Sequence, residues 1–119
     1  MNLVFCSSAV IRNKKKQILI MSRKNKKTFR NCWEFPGGKL SNFEDYFGAL
    51  IRELKEELGI DLPIGNIISV ENYFASDADW HTVNLVVHAY FSHRLIELDK
   101  THAEYRWVSH IEKDLHKCV

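Results

Sequence analysis

Residues 44–60 read Glu44-Asp45-Tyr46-Phe47-Gly48-Ala49-Leu50-Ile51-Arg52-Glu53-Leu54-Lys55-Glu56-Glu57-Leu58-Gly59-Ile60, the strongest helical pattern in the chain. Phe47, Ile51, Leu54 and Leu58 recur at steps of three and four. At 100° per residue they fall within roughly 40–60° of arc and predict one buried stripe. Asp45 stands where an N-cap belongs, because its carboxylate can accept from a first-turn N–H that has no helical partner. Gly59 stands where a left-handed residue closes a helix without a Cβ penalty. The pattern predicts a helix over Tyr46–Leu58. Glu53, Glu56 and Glu57 then project at about 240°, 180° and 280° on a wheel with Phe47 at zero, away from that stripe.

Outward from the helix, the chain reads as strands. Residues 3–11 and 17–23 form two strand candidates, joined by the polar turn Arg12-Asn13-Lys14-Lys15-Lys16. Residues 67–75 are a third. Between positions 82 and 91 the alternation is clear, with Val83, Leu85, Val87, Ala89 and Phe91 sharing a face. Residues 104–108 form a short strand, after which Ser109 and Glu112 make a capping box for a terminal helix. Strands around one central helix, with a second helix at the end, imply an α+β or αβα layered domain.

Composition narrows the class. The 119 residues are 45% hydrophobic and 27% charged, with two prolines and five glycines, which excludes a disordered or low-complexity chain and predicts one domain over residues 1–119. No apolar run approaches the ~20 residues that span a bilayer, so no membrane partner is expected. A net charge of +2 argues against a stable nucleic-acid partner. Cys6, Cys32 and Cys118 are odd in number and widely spaced, which indicates neither a disulfide framework nor a zinc site. The start lacks a basic segment and a long apolar stretch, so a cytoplasmic location is expected.

The acidic face carries the first chemical signal. Three carboxylates on adjacent turns repel one another, and a hard divalent cation such as Mg²⁺ removes that repulsion through oxygen ligands. A solvated acidic helix face would show the same pattern. Upstream, Trp33-Glu34-Phe35-Pro36-Gly37-Gly38-Lys39 combines two aromatics, a proline and a Gly-Gly pair. Such glycines fit either an ordinary turn or a backbone that approaches a ligand, with Lys39 suited to a phosphate. The basic runs at 14–16 and 24–27 read as solvated loops or as a field that steers polyphosphate. Tyr73, Phe74 and Trp80 read as packing or as base-stacking residues. The six histidines show no paired metal spacing, so none is assigned to metal.

Taken together, Gly38, Glu44, Arg52, Glu53, Leu54, Glu56, Glu57, Gly59 and Ile60 occupy all nine fixed positions of a 23-residue pattern, G-x5-E-x7-R-E-U-x-E-E-x-G-U. The chain resembles the Nudix hydrolases, and residues 33–39 with Arg106-Trp107-Val108 resemble their MutT-type branch. The resemblance covers nearly the whole chain; the box at 38–60 is its specific part.

That resemblance implies an αβα sandwich with a mixed central sheet. It also implies Mg²⁺-dependent, or Mn²⁺-dependent, hydrolysis of a nucleoside triphosphate to monophosphate and pyrophosphate, with oxidised purine nucleotides such as 8-oxo-dGTP as substrates. Carried over by position, Glu53, Glu56, Glu57 and the Gly37 carbonyl hold metal, and Glu53 also handles the water proton. Arg52 orients Glu53, and Glu44 supports the box. Arg23 and Lys39 meet substrate phosphates, while Glu34, Phe35, Pro36, Gly37 and Gly38 line the nucleotide site. The molecule is expected to be a monomer or weak homodimer acting on a small nucleotide.

Within the family, dinucleoside polyphosphates, nucleotide sugars, NADH and RNA 5′ ends are alternative substrates. A non-catalytic nucleotide-binding module is another reading, which the intact box acids oppose. Three positions depart from the family pattern. Phe43 stands where glycine is usual, and Thr101 stands where many relatives carry a further metal-binding acid, with Asp99 and Glu104 as the nearest substitutes. The sequence also stops where relatives continue toward the purine, so a looser base pocket is expected.

Overall fold

The computed structural model describes residues 2–23, 33–41, 43–75, 79–92 and 95–110. Among these, one helix and seven strands follow the order β1 (Asn2–Arg12), β2 (Ile18–Arg23), β3 (Trp33–Glu34), β4 (Gly37–Lys39), α1 (Tyr46–Leu58), β5 (Ile64–Ala75), β6 (Trp80–Tyr90) and β7 (His102–Val108). The sheet runs β3-β2-β1-β6-β5, with β4 added to β1 and β7 to β2. β1 and β6 are parallel, whereas the other pairs are antiparallel. The result is the mixed sheet and α+β class expected. The terminal-helix expectation, the basic run 24–27, Cys32 and Cys118 lie outside the described residues.

Local chemistry explains the joints. Asn13 Oδ1 accepts from the Lys15 and Gln17 backbone N–H groups at 3.0 and 2.9 Å, folding the polar turn between β1 and β2 as an Asx-type hairpin. The helix begins and ends where its caps predict. Asp45 Oδ1 accepts from Gly48 N at 2.6 Å, and Gly59, at φ 73°, donates its N–H to Lys55 O.

Alternation places Ala9 and Ile11, Leu19 and Met21, and Val87 and Ala89 on one sheet face. There they form the main core with Leu50, Leu54 and Leu58 of α1. Val10, Ile18 and Val86 point the other way, toward Phe35 and Val108. Full burial of side chains of this kind stabilises by about 1.5–3 kcal/mol each.

The helix is rotated from the expected stripe. Leu54 and Leu58 are buried, but Phe47 and Ile51 remain 43% and 44% exposed. Leu50 and Glu57 are buried in their place. Apolar periodicity alone does not separate two overlapping stripes on this helix. The choice follows from β4, which meets α1 with glycine backbone rather than with bulky side chains, so the acidic edge turns inward.

Candidate active site

The site forms where β4 lies between β1 and α1. Gly37 and Gly38 pair with Ser8 and Ser7, and Gly37 takes φ 149°. A Cβ on Gly37 would stand 2.1 Å from the Ser7 carbonyl oxygen, so the strand pairing itself requires glycine. A Cβ on Gly38 would stand 2.6 Å from Glu53 Cδ. The Gly-Gly pair thus lets two carboxylates reach the backbone: Glu53 lies against Gly38, and Glu57 Oε1 accepts from Gly37 N at 2.7 Å.

Arg52 organises the acids around it. Its Nε and Nη2 form a bidentate pair with Glu44 at 2.6 and 2.9 Å, and its Nη1 reaches Glu53 at 3.0 Å and Glu56 at 3.3 Å. Nη2 also donates to the Lys39 carbonyl, tying the clamp to β4. Hydrogen bonds from Arg52, and then from Ser41 N, hold the Glu44 carboxyl at about 2. Arg52 itself is pushed above its ordinary value, chiefly by Glu44. Glu53 shifts up because burial outweighs Arg52. Phe43, on the loop into the helix, adopts φ 66° with its ring in solvent. That is a left-handed conformation which glycine would enter without strain.

Behind this row lies a cluster that motif spacing does not reveal. His102 is 3% exposed. Its Nδ1 is 2.7 Å from Asp99 Oδ1, while its Nε2 is 3.1 Å from Glu34 Oε1 and 3.6 Å from Glu57 Oε2. Residues 95–99 arrive here because Glu97 N donates to Leu58 O and Asp99 N to Glu57 O, extending the end of α1. Of the two acids considered as substitutes for position 101, Asp99 joins the cluster. Glu104 is exposed and 3.8 Å from Arg106. The sequence signal available was the i, i+3 pair Asp99 and His102, which shows its meaning only beside Glu57.

The electrostatics follow from burial. Desolvation pushes Glu57 up to about 8, against the Gly37 N–H and the charge of His102. Burial works to lower the His102 value, but hydrogen bonds to Glu34 and Asp99 outweigh it and raise it. Asp99 also feels burial, which its hydrogen bonds from His102 and Thr101 overcome, leaving it lowered.

Glu53 and Glu57 are desolvated carboxylates, which gain most from a nearby positive charge such as a hard divalent cation, whereas Glu56 stays exposed beside Arg52. Glu57, Asp99 and His102 also offer ligand atoms within 4.8 Å of one another, which includes a histidine the spacing had not assigned. The contact that Gly37 makes here is through its N–H.

The remaining predicted residues meet other partners. Pro36 is buried, and its carbonyl accepts from Ala9 N at 2.9 Å. Phe35 packs on the sheet face opposite α1. Lys39 Nζ lies 5.7 Å from the Trp80 ring centroid. The Arg23 backbone pairs with His102, but its side chain lies outside the described residues.

One pH effect follows. Glu57 must lose its proton to bind a cation, so below about pH 8 metal uptake is expected to release a proton. Affinity for Mn²⁺ should rise up to about tenfold per pH unit between roughly 6 and 8. In metal-free protein the sign is opposite: stability from the raised Glu57 is full below its unfolded value and is lost as pH rises through about 8. Titration calorimetry in buffers of differing ionisation enthalpy checks the proton release, and metal-free melting temperatures measured across pH check the stability. Uptake without proton release at pH 7 would contradict the assignment.

The NUDIX domain family model matches residues 5–117. An 8-oxo-dGTP diphosphatase of Proteus vulgaris is 45% identical over 56 residues, covering 47% of this chain and 50% of that one. A CTP pyrophosphohydrolase of Escherichia coli (strain K12) is 40% identical over 53 residues, covering 44% and 39%. The matched stretches thus span about half or less of these curated relatives. The crystal structure of a MutT protein from Methanosarcina mazei Go1 superposes with TM-score 0.79 at 30% identity, over 91% of this chain and 78% of that one.

Proposed function

The chain belongs to the NUDIX domain family, and on that premise we propose that it hydrolyses nucleoside triphosphates to a nucleoside monophosphate and pyrophosphate. The observation that carries this reading is the meeting of Glu53 and Glu57 with the Gly37-Gly38 backbone under the Arg52 clamp. Glu53, Glu56 and Glu57, with the Gly37 carbonyl, would hold Mg²⁺ or Mn²⁺. The cation supplies neutralising charge, without which a triphosphate of about four negative charges would be repelled by the acids, and polarises the attacked phosphoryl group.

This chain's own groups supply the rest. Glu53 accepts the proton of the attacking water; burial moves its pKa toward the working range of a base, and Arg52 holds one of its oxygens at 3.0 Å. Glu44 keeps Arg52 in place from the start of the helix. Lys39 and Arg23 balance charge on the leaving pyrophosphate, while Glu34, Phe35, Pro36 and Gly38 line the nucleotide site. In this reading residues 1–119 act as one cytoplasmic domain, a monomer or weak homodimer.

The preferred substrate we infer is an oxidised purine nucleotide such as 8-oxo-dGTP. Relatives named for 8-oxo-dGTP and for CTP are both similar to this chain, so the test is a panel of dGTP, 8-oxo-dGTP and CTP with phosphorus NMR of the products. Monophosphate plus pyrophosphate is expected; stepwise release of orthophosphate would reject the reaction. Sites that read an altered polar edge discriminate by ~10⁴-fold or more, against ~10–200-fold for shape alone. A kcat/KM ratio above one for 8-oxo-dGTP over dGTP supports the sanitising role, and a ratio near one or a preference for CTP rejects it.

A further inference from the structure

We propose that His102 is a positioning residue that fixes Glu34, on the strand before the glycine loop, relative to Glu57, on the acidic face of α1. The proposal rests on the hydrolase reading above. Its basis is geometric. Three acids from distant parts of the chain, Glu34, Glu57 and Asp99, converge on one buried ring, and the two edges of that ring meet different partners. The Nδ1 edge faces Asp99 at 2.7 Å, on the segment pinned to the end of α1 by Asp99 N and Glu57 O. The Nε2 edge faces Glu34 at 3.1 Å and Glu57 at 3.6 Å.

Asp99 therefore orients the ring from behind, and Nε2 spans the two carboxylates in front. Glu57 then meets the Gly37 N–H at one oxygen, and its other oxygen stands 3.6 Å from His102 Nε2, within charge-pairing distance of the ring when it is protonated. A ligand carboxylate restrained in this way is oriented before the cation arrives, as a partner behind a metal ligand commonly does. The same ring holds Glu34, so metal affinity and nucleotide affinity become coupled through one side chain.

The two edges can be tested separately. Gln at position 102 places an amide N–H near the reach of Nε2, whereas Asn reaches only about as far as Nδ1. The readouts are Mn²⁺ affinity by electron paramagnetic resonance, nucleotide KM and kcat, and melting temperature without metal. His102→Asn is expected to weaken Mn²⁺ binding by ~10–100-fold and to raise KM, while His102→Gln stays within about threefold of wild type. Wild-type Mn²⁺ affinity in His102→Asn, or equal losses in both variants, would overturn the proposal, since loss of packing alone does not distinguish the two amides.

Glu34→Ala provides a second route should either His102 variant fail to fold. The Glu34 side chain is partly exposed, and its truncation removes the acceptor of the same bridge from the solvent side. Weakened Mn²⁺ binding in this variant supports the bridge, and unchanged binding overturns it. Failure of wild-type protein to bind Mn²⁺ or to release pyrophosphate would instead reject the hydrolase reading itself.

Discussion

Glu53→Gln is expected to lower kcat by at least ~10³-fold, with the metal-free protein still folded. Gln keeps the length and shape of the side chain beside Gly38, where there is no room for a larger group. It removes the negative charge that would bind the cation and the basic oxygen that takes a proton from water. Burial disfavours a charge at this position, so loss of that charge carries no large penalty to the fold, and the melting temperature is expected to stay within a few degrees of wild type. EDTA should abolish turnover in the wild-type enzyme, and Mg²⁺ or Mn²⁺ should restore it. Full activity in EDTA would remove the metal from the mechanism, and a near-normal Glu53→Gln enzyme would move the base to another acid.

Gly37→Ala is expected to destabilise the protein by about 3 kcal/mol, from strain in φ and displacement of packed backbone together. For a domain of this size that corresponds to roughly 10–15 °C in melting temperature. The new methyl would meet the Ser7 carbonyl oxygen and Ser8 Cα at 2.1 and 2.7 Å, neither of which is the flexible end of a side chain. β4 would have to leave β1, and Glu57 would lose the N–H that holds Oε1. Gly38→Ala differs because its methyl meets the movable Glu53 carboxylate. It should therefore cost activity more than stability. Thermal melts of the two variants side by side check the contrast; equal melting temperatures would show that β4 yields at position 37.

Much of this arrangement is local and could be read directly. Asp45 and Gly59 bound the helix because caps act within one turn of their own residue, and α1 spans Tyr46–Leu58 as they imply. The β1–β2 turn follows from Asn13, and the alternation in β6 follows from a period of two that burial reads directly. The nine box residues identify the family because their spacing lies within one loop and one helix.

Three features were not legible, and each depends on what another element brings. The rotation that exposes Phe47 and buries Glu57 is set by how closely β4 approaches α1. Phe43 takes its left-handed conformation although its residue type disfavours one, because the loop must turn there to enter the helix. The histidines gave no metal spacing, yet His102 is a central buried group of the site, since its partners Glu34 and Glu57 lie 68 and 45 positions away in the chain. Sequence by itself determined the helix, its caps and the acids it carries, because those depend on neighbours within a few residues. Tertiary structure alone decided which acids are desolvated and which ring stands between them, because burial and charge pairing are properties of contacts between distant segments.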